Sequence, residues 1–196
     1  MTIKQEERIR AKIAAIREEI AREKKQWGGY HDGRGLRYEP PQYFVQINDF
    51  KGAMTYFRWF QKNFPDDAAY AMFWFEWAWA LFKSNKIKEA GEKILEAYLA
   101  NPFWIDAFFK RPLREVNELA DKLAWVKQQA QKMPYAPAQL QFIDFAPWLM
   151  AFVSTEKFID FADEHIAVQT QLLTEPAGLK RNELVGRMDL KLKNYA

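Results

Sequence analysis

The residues best equipped for chemistry in this chain crowd between positions 31 and 38: His31, Asp32, Arg34, Arg37 and Tyr38. An imidazole beside a carboxylate can move protons near neutral pH, and two guanidinium groups can hold a phosphate or carboxylate through paired N–H bonds. Gly28, Gly29, Gly33 and Gly35 lie in the same segment, QWGGYHDGRGLRYEPP, which Pro40 and Pro41 close. Glycine supplies left-handed backbone and proline interrupts helices, so residues 26–41 are expected to form a turn-rich Gly/Pro loop. Loops carry a large share of binding and catalytic residues. Two readings stay open for this one. It is a small-anion sensor or enzyme site, or it is a structured crossover whose arginines pair with carboxylates and aromatic faces. A P-loop is excluded, because no strand precedes the glycines and no Gly-Lys-Ser/Thr follows them.

The rest of the chain offers little else that reacts. It has no cysteine, which removes disulfides, thiolate nucleophiles and cysteine-based metal sites. The second histidine, His165, adjoins an acidic run of Glu156, Asp160, Asp163 and Glu164. The Glu-x-x-His spacing of di-iron bundles is missing there, and a solvated helix face accounts for the stripe. Ser84 and Ser154 fall at helix ends, where capping explains them. No catalytic residue, metal ligand or cofactor is assigned, and the chain is expected not to be an enzyme. Formal charge is +3, with basic and acidic residues interleaved, so no one-sided basic face for nucleic acid is expected. No apolar run is long enough to span a bilayer, and the N-terminus lacks a secretory pattern, so a cytoplasmic location is expected.

Helical periodicity dominates the elements that must position these residues. Ile9, Ile13, Ile16 and Ile20 recur at four, three and four residues among charges. That spacing predicts an N-terminal amphipathic helix over 1–25, docked on the domain or on a partner through its isoleucine seam. Residues 42–196 read as a helical domain, with a repeat-like core over 42–102 and C-terminal helices over 103–196. FKGAMTYFRWFQKNF forms one helix before Pro65, and AAYAMFWFEWAWALFKSN the next, with Asp67 as its expected N-cap. That second helix is apolar almost all round, which places it at the centre of the fold. Ile87–Leu99 follows, with Asn85 as the expected cap. Further helices are expected over 113–132, over 138–153 with a break at Pro147, over 155–173, and over 177–193.

Ala53, Phe57, Phe60 and Pro65 recur as Ala90, Ile94, Ala97 and Pro102, each displaced by 37 residues. Internal periods of this size mark helical repeats. Within the second unit, Trp74, Trp77-Ala78, Leu81, Ala90, Ile94, Ala97 and Pro102 follow one another in a pattern that resembles the tetratricopeptide repeat. They stand where that family places its large aromatic, Leu-Gly, Tyr, Ala, aromatic, Ala and Pro. The first unit departs from the pattern: Arg37 stands where the aromatic belongs, and Pro40–Pro41 break its leading helix. Trp59-Phe60 and Phe64-Pro65-Asp66-Asp67 ahead of the repeat are also similar to a signature of uncharacterised bacterial proteins.

The resemblance implies an all-α fold: a short tetratricopeptide-like α-α solenoid with additional flanking helices at both ends. It also implies a concave groove for a partner protein or peptide. Carried over position by position, that groove comprises Met72, Phe75, Trp79, Phe82 and Lys83. Four of the five are large and apolar, so either a partner or the chain's own helices must cover them. The expected function is a non-catalytic protein–protein interaction module, an adaptor or scaffold, with an immunity- or antitoxin-type inhibitor as its narrow form. The oligomeric state is not set by these features.

Overall fold

The computed structural model describes residues 1–30 and 32–195, which places His31 outside the described residues. Ten α-helices and three 3-10 turns account for the architecture, with no strand among the described residues. Helix α1 spans Ile3–Trp27 and is opened by a capping box between Thr2 and Gln5. Gly28 ends it at φ 73°, a left-handed cap that glycine adopts without strain. Of the isoleucine seam, Ile13 and Ile20 are buried, and α1 docks on α2 and the turn Leu36–Tyr38. The seam is thus spent inside the chain.

The Gly/Pro loop is shorter than its composition suggests. Pro40 and Pro41 begin helix α2 (Pro40–Gln46) instead of interrupting one, because the first helical turn needs no N–H donor. Helix α3 (Phe50–Asn63) is capped by Asp49, whose carboxylate accepts from Gly52 N at 2.8 Å. A side chain at Gly52 would collide with Phe44 and Asp49, which is why the chain can turn so tightly there.

Helix α4 (Ala71–Lys83) is the centre, with every residue from Phe73 to Leu81 buried. It forms a hairpin with α5 (Ile87–Ala100) across the turn Ser84–Lys86. Ala78, Ala90 and Ala97 are all inaccessible, so small side chains set the close approach of these helices. The expected caps are not used. Asp67 sits four residues before α4, whose cap is Tyr70, and its carboxylate serves Arg37 and Tyr38 instead. Asn85 takes a left-handed turn conformation, φ 57°, ahead of Lys86.

Beyond Pro102 come α6 (Trp104–Phe108), α7 (Ala120–Gln131), α8 (Phe145–Val153), α9 (Glu156–Thr174) and α10 (Leu179–Lys193). The helix expected over 113–132 begins only at Ala120, after an extended stretch and the 3-10 turn Asn117–Leu119. Pro147 produces no break, since it falls in the first turn of α8 where proline is tolerated. Aromatic rings fill both flanks of α4. On one side Phe57, Phe60 and Tyr38 pack on Phe73, and on the other Phe142 and Phe145 pack on Phe75. No helix among the described residues is long and apolar enough to cross a membrane.

Candidate functional site

Loop residues Asp32, Arg37 and Tyr38 do come together, but on one another. Asp32 is 3% exposed, and its carboxylate accepts from Leu36 N at 2.7 Å, Arg37 N at 2.9 Å and Arg37 Nη1 at 3.0 Å. Arg37 Nε donates to Asp67 at 2.8 Å, and Nη2 donates to the Tyr38 hydroxyl at 2.8 Å. That hydroxyl in turn donates to Asp67 at 2.5 Å, while Tyr56 OH donates to the Arg37 carbonyl at 2.7 Å. The guanidinium also lies over the Phe64 ring. Burial opposes the charge of Arg37, yet bonds to Asp67 and Asp32 hold its pKa above the ordinary value. Burial first, and then the bond to Asp67, pushes Tyr38 up to about 12. Every nitrogen of Arg37 is engaged, so the network fastens the loop to α3 and the α3–α4 turn. Arg34 stands apart, exposed and paired with Glu19 at 2.7 Å.

The five groove positions on α4 also have occupants. Phe75 and Trp79 are inaccessible to solvent. Tyr135, Phe142 and Phe145 pack on Phe75, the Trp79 indole N–H donates to the Gln141 carbonyl at 2.9 Å, and Trp148 lies on Phe82. Lys83 pairs with Asp144 at 2.5 Å. Of the two coverings that the apolar groove at Phe75, Trp79, Phe82 and Lys83 requires, it is the chain's own that is present: the segment from Tyr135 to Trp148 buries aromatic area that water would otherwise meet, so these four positions are not open to a partner. Only Met72 still faces a space.

That space is a cavity of about 400 Å³ between the start of α4, the α5–α6 turn and α7. Ala71, Met72, Ala100, Trp104, Val126 and Pro134 give it apolar walls, and Trp125, 67% exposed, stands at its mouth. Its polar groups are few. Tyr70 OH donates weakly to the Tyr38 carbonyl at 3.3 Å, and the Asn101 carboxamide is doubly bonded, to Val126 O and from Phe103 N. The side chains of Gln129 and Lys132 have no hydrogen-bond or ion-pair partner among the described residues, and neither does the buried indole nitrogen of Trp104.

Glu76 is a second feature outside the expected sites. It is 1% exposed in the middle of α4; Tyr135 OH donates to its Oε1 at 2.5 Å, and its Oε2 has no partner. Burial raises its pKa from 4.5 to about 8, with the tyrosine bond pulling the other way, so the carboxyl is held neutral at pH 7. A lone charged residue within an apolar run, Ala68–Phe82, was its signal in the sequence. Trp125 carried a fainter one, as an aromatic placed off the face that Leu119, Leu123 and Val126 share.

Among the acidic run, Asp163 pairs with Arg114, and Glu164 with Lys191. His165 is buried, and burial lowers its pKa to about 4, so it stays neutral. No group of His, Asp and Glu among the described residues has the arrangement of a metal site. In comparisons with known proteins, no family model, no curated protein and no solved structure matches this chain.

Proposed function

We propose that the chain is a non-catalytic protein-interaction module whose contact site is the cavity under α7, not the inner face of α4. The α4–α5 hairpin, with Ala78, Ala90 and Ala97 buried between its helices, supports a tetratricopeptide-like arrangement of this region. The concave face of such a repeat is filled here by residues 135–148, which leaves its upper end, at Met72, as the place for a partner. The observation that carries the reading is the cavity itself: about 400 Å³, apolar walls, an exposed tryptophan at the rim. Exposed aromatics beside an apolar recess are the usual anchors of protein contacts.

Lys132 fixes the partner's chemistry further. It lines the same rim without a carboxylate partner among the described residues. The occupant is therefore a partner segment that inserts one aromatic or large aliphatic side chain and places an Asp or Glu beside it. The anion-sensor alternative draws no support from the loop, where Arg37 has no nitrogen left to offer. Selection of a random peptide library on the folded full chain tests the proposal. Enriched peptides carry an aromatic or aliphatic anchor next to an acid, and lose at least about tenfold in affinity against Trp125→Ala and against Lys132→Glu. No enrichment, or enrichment indifferent to both substitutions, overturns it.

A further inference from the structure

Helix α7 forms the outer wall of this cavity, and no other helix near the centre is so sparsely buried along its length. Its two ends are fixed, by Leu119 before the first turn and by Ala130 and Met133 at and beyond the last. Between those ends no residue is fully buried, and Ala130 is the only buried residue of the whole helix. A second cavity, of about 370 Å³, lies along its other side, between Leu123, Lys127, Val116 and the 3-10 turn that begins at Asn117. A helix with space on both sides gains little from burial, and its backbone bonds alone seldom hold a segment of this length.

One buried side chain does tie the middle of α7 down. Asn101, 4% exposed in the α5–α6 turn, donates through Nδ2 to the Val126 carbonyl at 2.7 Å. Its Oδ1 accepts from Phe103 N at 3.0 Å, which fixes the carboxamide's orientation. Lighter ties are Lys122 to Gln169 at 2.7 Å, between exposed side chains, the Lys127 ammonium over the Phe103 ring, and the half-buried Leu123 and Val126 against the core. Elements with few buried contacts open locally at a fraction of the cost of global unfolding.

We infer that α7 is the gate of the cavity: it opens as a unit between its fixed ends, and the Asn101–Val126 hydrogen bond is its latch. The inference rests on the site proposed above but concerns its regulation. A partner's anchor enters when α7 lifts, so affinity depends on how often the gate is open. Asn101 is a positioning residue, since it acts on α7 and not on the partner.

Hydrogen–deuterium exchange of the full chain without any partner tests the gate. In wild type, amides of Ala120–Gln131 exchange at least about tenfold faster than those of Ile87–Ala100, the difference expected between local and global opening. Asn101→Asp keeps the oxygen that accepts from Phe103 N and removes the donor to Val126. It raises exchange in α7 by about tenfold with α5 unchanged, as loss of one hydrogen bond predicts. Lys122→Ala, on the surface and harmless to folding, gives a smaller increase confined to α7. An α7 that exchanges as slowly as α5, or that ignores both substitutions, overturns the gate. So does an Asn101→Asp variant in which α5 speeds up equally, since Asn101 is then a core support and not a latch. The two proposals fail separately: peptides binding to a protein with a slow-exchanging α7 means an open, preformed site, and a fast α7 without peptides means a gate over some other occupant.

Discussion

The loop at residues 28–38 and the wall formed by α7 are opposites. The loop concentrates chemically capable side chains, and those the structure describes either face one another across buried hydrogen bonds or, in Arg34, pair with α1. The cavity behind α7 is lined by ordinary residues, and it is there that the Trp104 indole nitrogen, the Gln129 amide and the Lys132 ammonium group have no partners among the described residues. A dense cluster of polar groups satisfies itself when it is buried, because each unpaired member would cost more than the pair is worth. Capacity to bind a second molecule is found where satisfaction is incomplete.

Breaking the loop network tests its half of the contrast and has the largest effect. Arg37→Ala leaves Asp32 and Asp67 facing each other without their shared cation, and removing one partner of such a buried pair costs about 3–5 kcal/mol. Arg37→Lys rescues little, because an ammonium cannot bridge both carboxylates and the tyrosine at once. Urea denaturation measures both. A midpoint for Arg37→Ala equal to that of wild type removes the structural role and returns the loop to the list of binding sites.

Glu76 sharpens the contrast from within the core, as a buried carboxyl left half satisfied. Its folded pKa, about 8, lies above its ordinary 4.5, so the native protein keeps a proton that the unfolded chain gives up. Stability from this group is complete below pH 4.5, declines as pH rises, and levels off above about 8. His165 works in the opposite sense: its pKa falls from 6.5 to about 4, so it costs stability as pH drops through that range. The window from 6.5 to 8 is therefore compared between wild type and Glu76→Gln, so that the contributions of the histidines cancel. Wild type loses about 2 kcal/mol across it, at roughly 1.4 kcal/mol per pH unit, and Glu76→Gln does not. Equal slopes for the two proteins mean that Glu76 is already ionised in the fold.

Much of the fold was legible because burial leaves a periodic mark. The isoleucine seam of α1, the all-round apolarity of α4 and the paired alanines of α4–α5 all report which face meets another helix. The satisfied loop was harder to read, since a salt bridge to Asp67 links residues 30 apart and no local pattern records it. Asp67 itself read as a cap because an acid after a proline usually is one. The filled groove was legible as coverage by the chain's own helices, but not in its detail. Nothing in the spacing of Phe142, Phe145 and Trp148 says which aromatic face they will cover. The cavity left almost no trace, because a void is set by what fails to meet, and sequence patterns describe what does.

Two surface substitutions complete the comparison with the smallest effects on folding. Trp125→Ala removes a ring that is mostly in water, so stability changes by no more than about 0.5 kcal/mol while peptide binding at the cavity is lost. A large fall in stability would instead place Trp125 in the packing of α7 and weaken its assignment to the rim. Arg34→Ala breaks an exposed pair with Glu19, and neither the unfolding midpoint nor the binding of selected peptides moves. Inorganic phosphate, added to wild type and to Arg34→Ala, is the sharper version of that last test. A ligand that bound the native loop would raise the melting temperature of wild type by mass action and lose its hold on the variant. Identical melting curves with and without phosphate are the outcome expected of a loop whose charges are already spoken for.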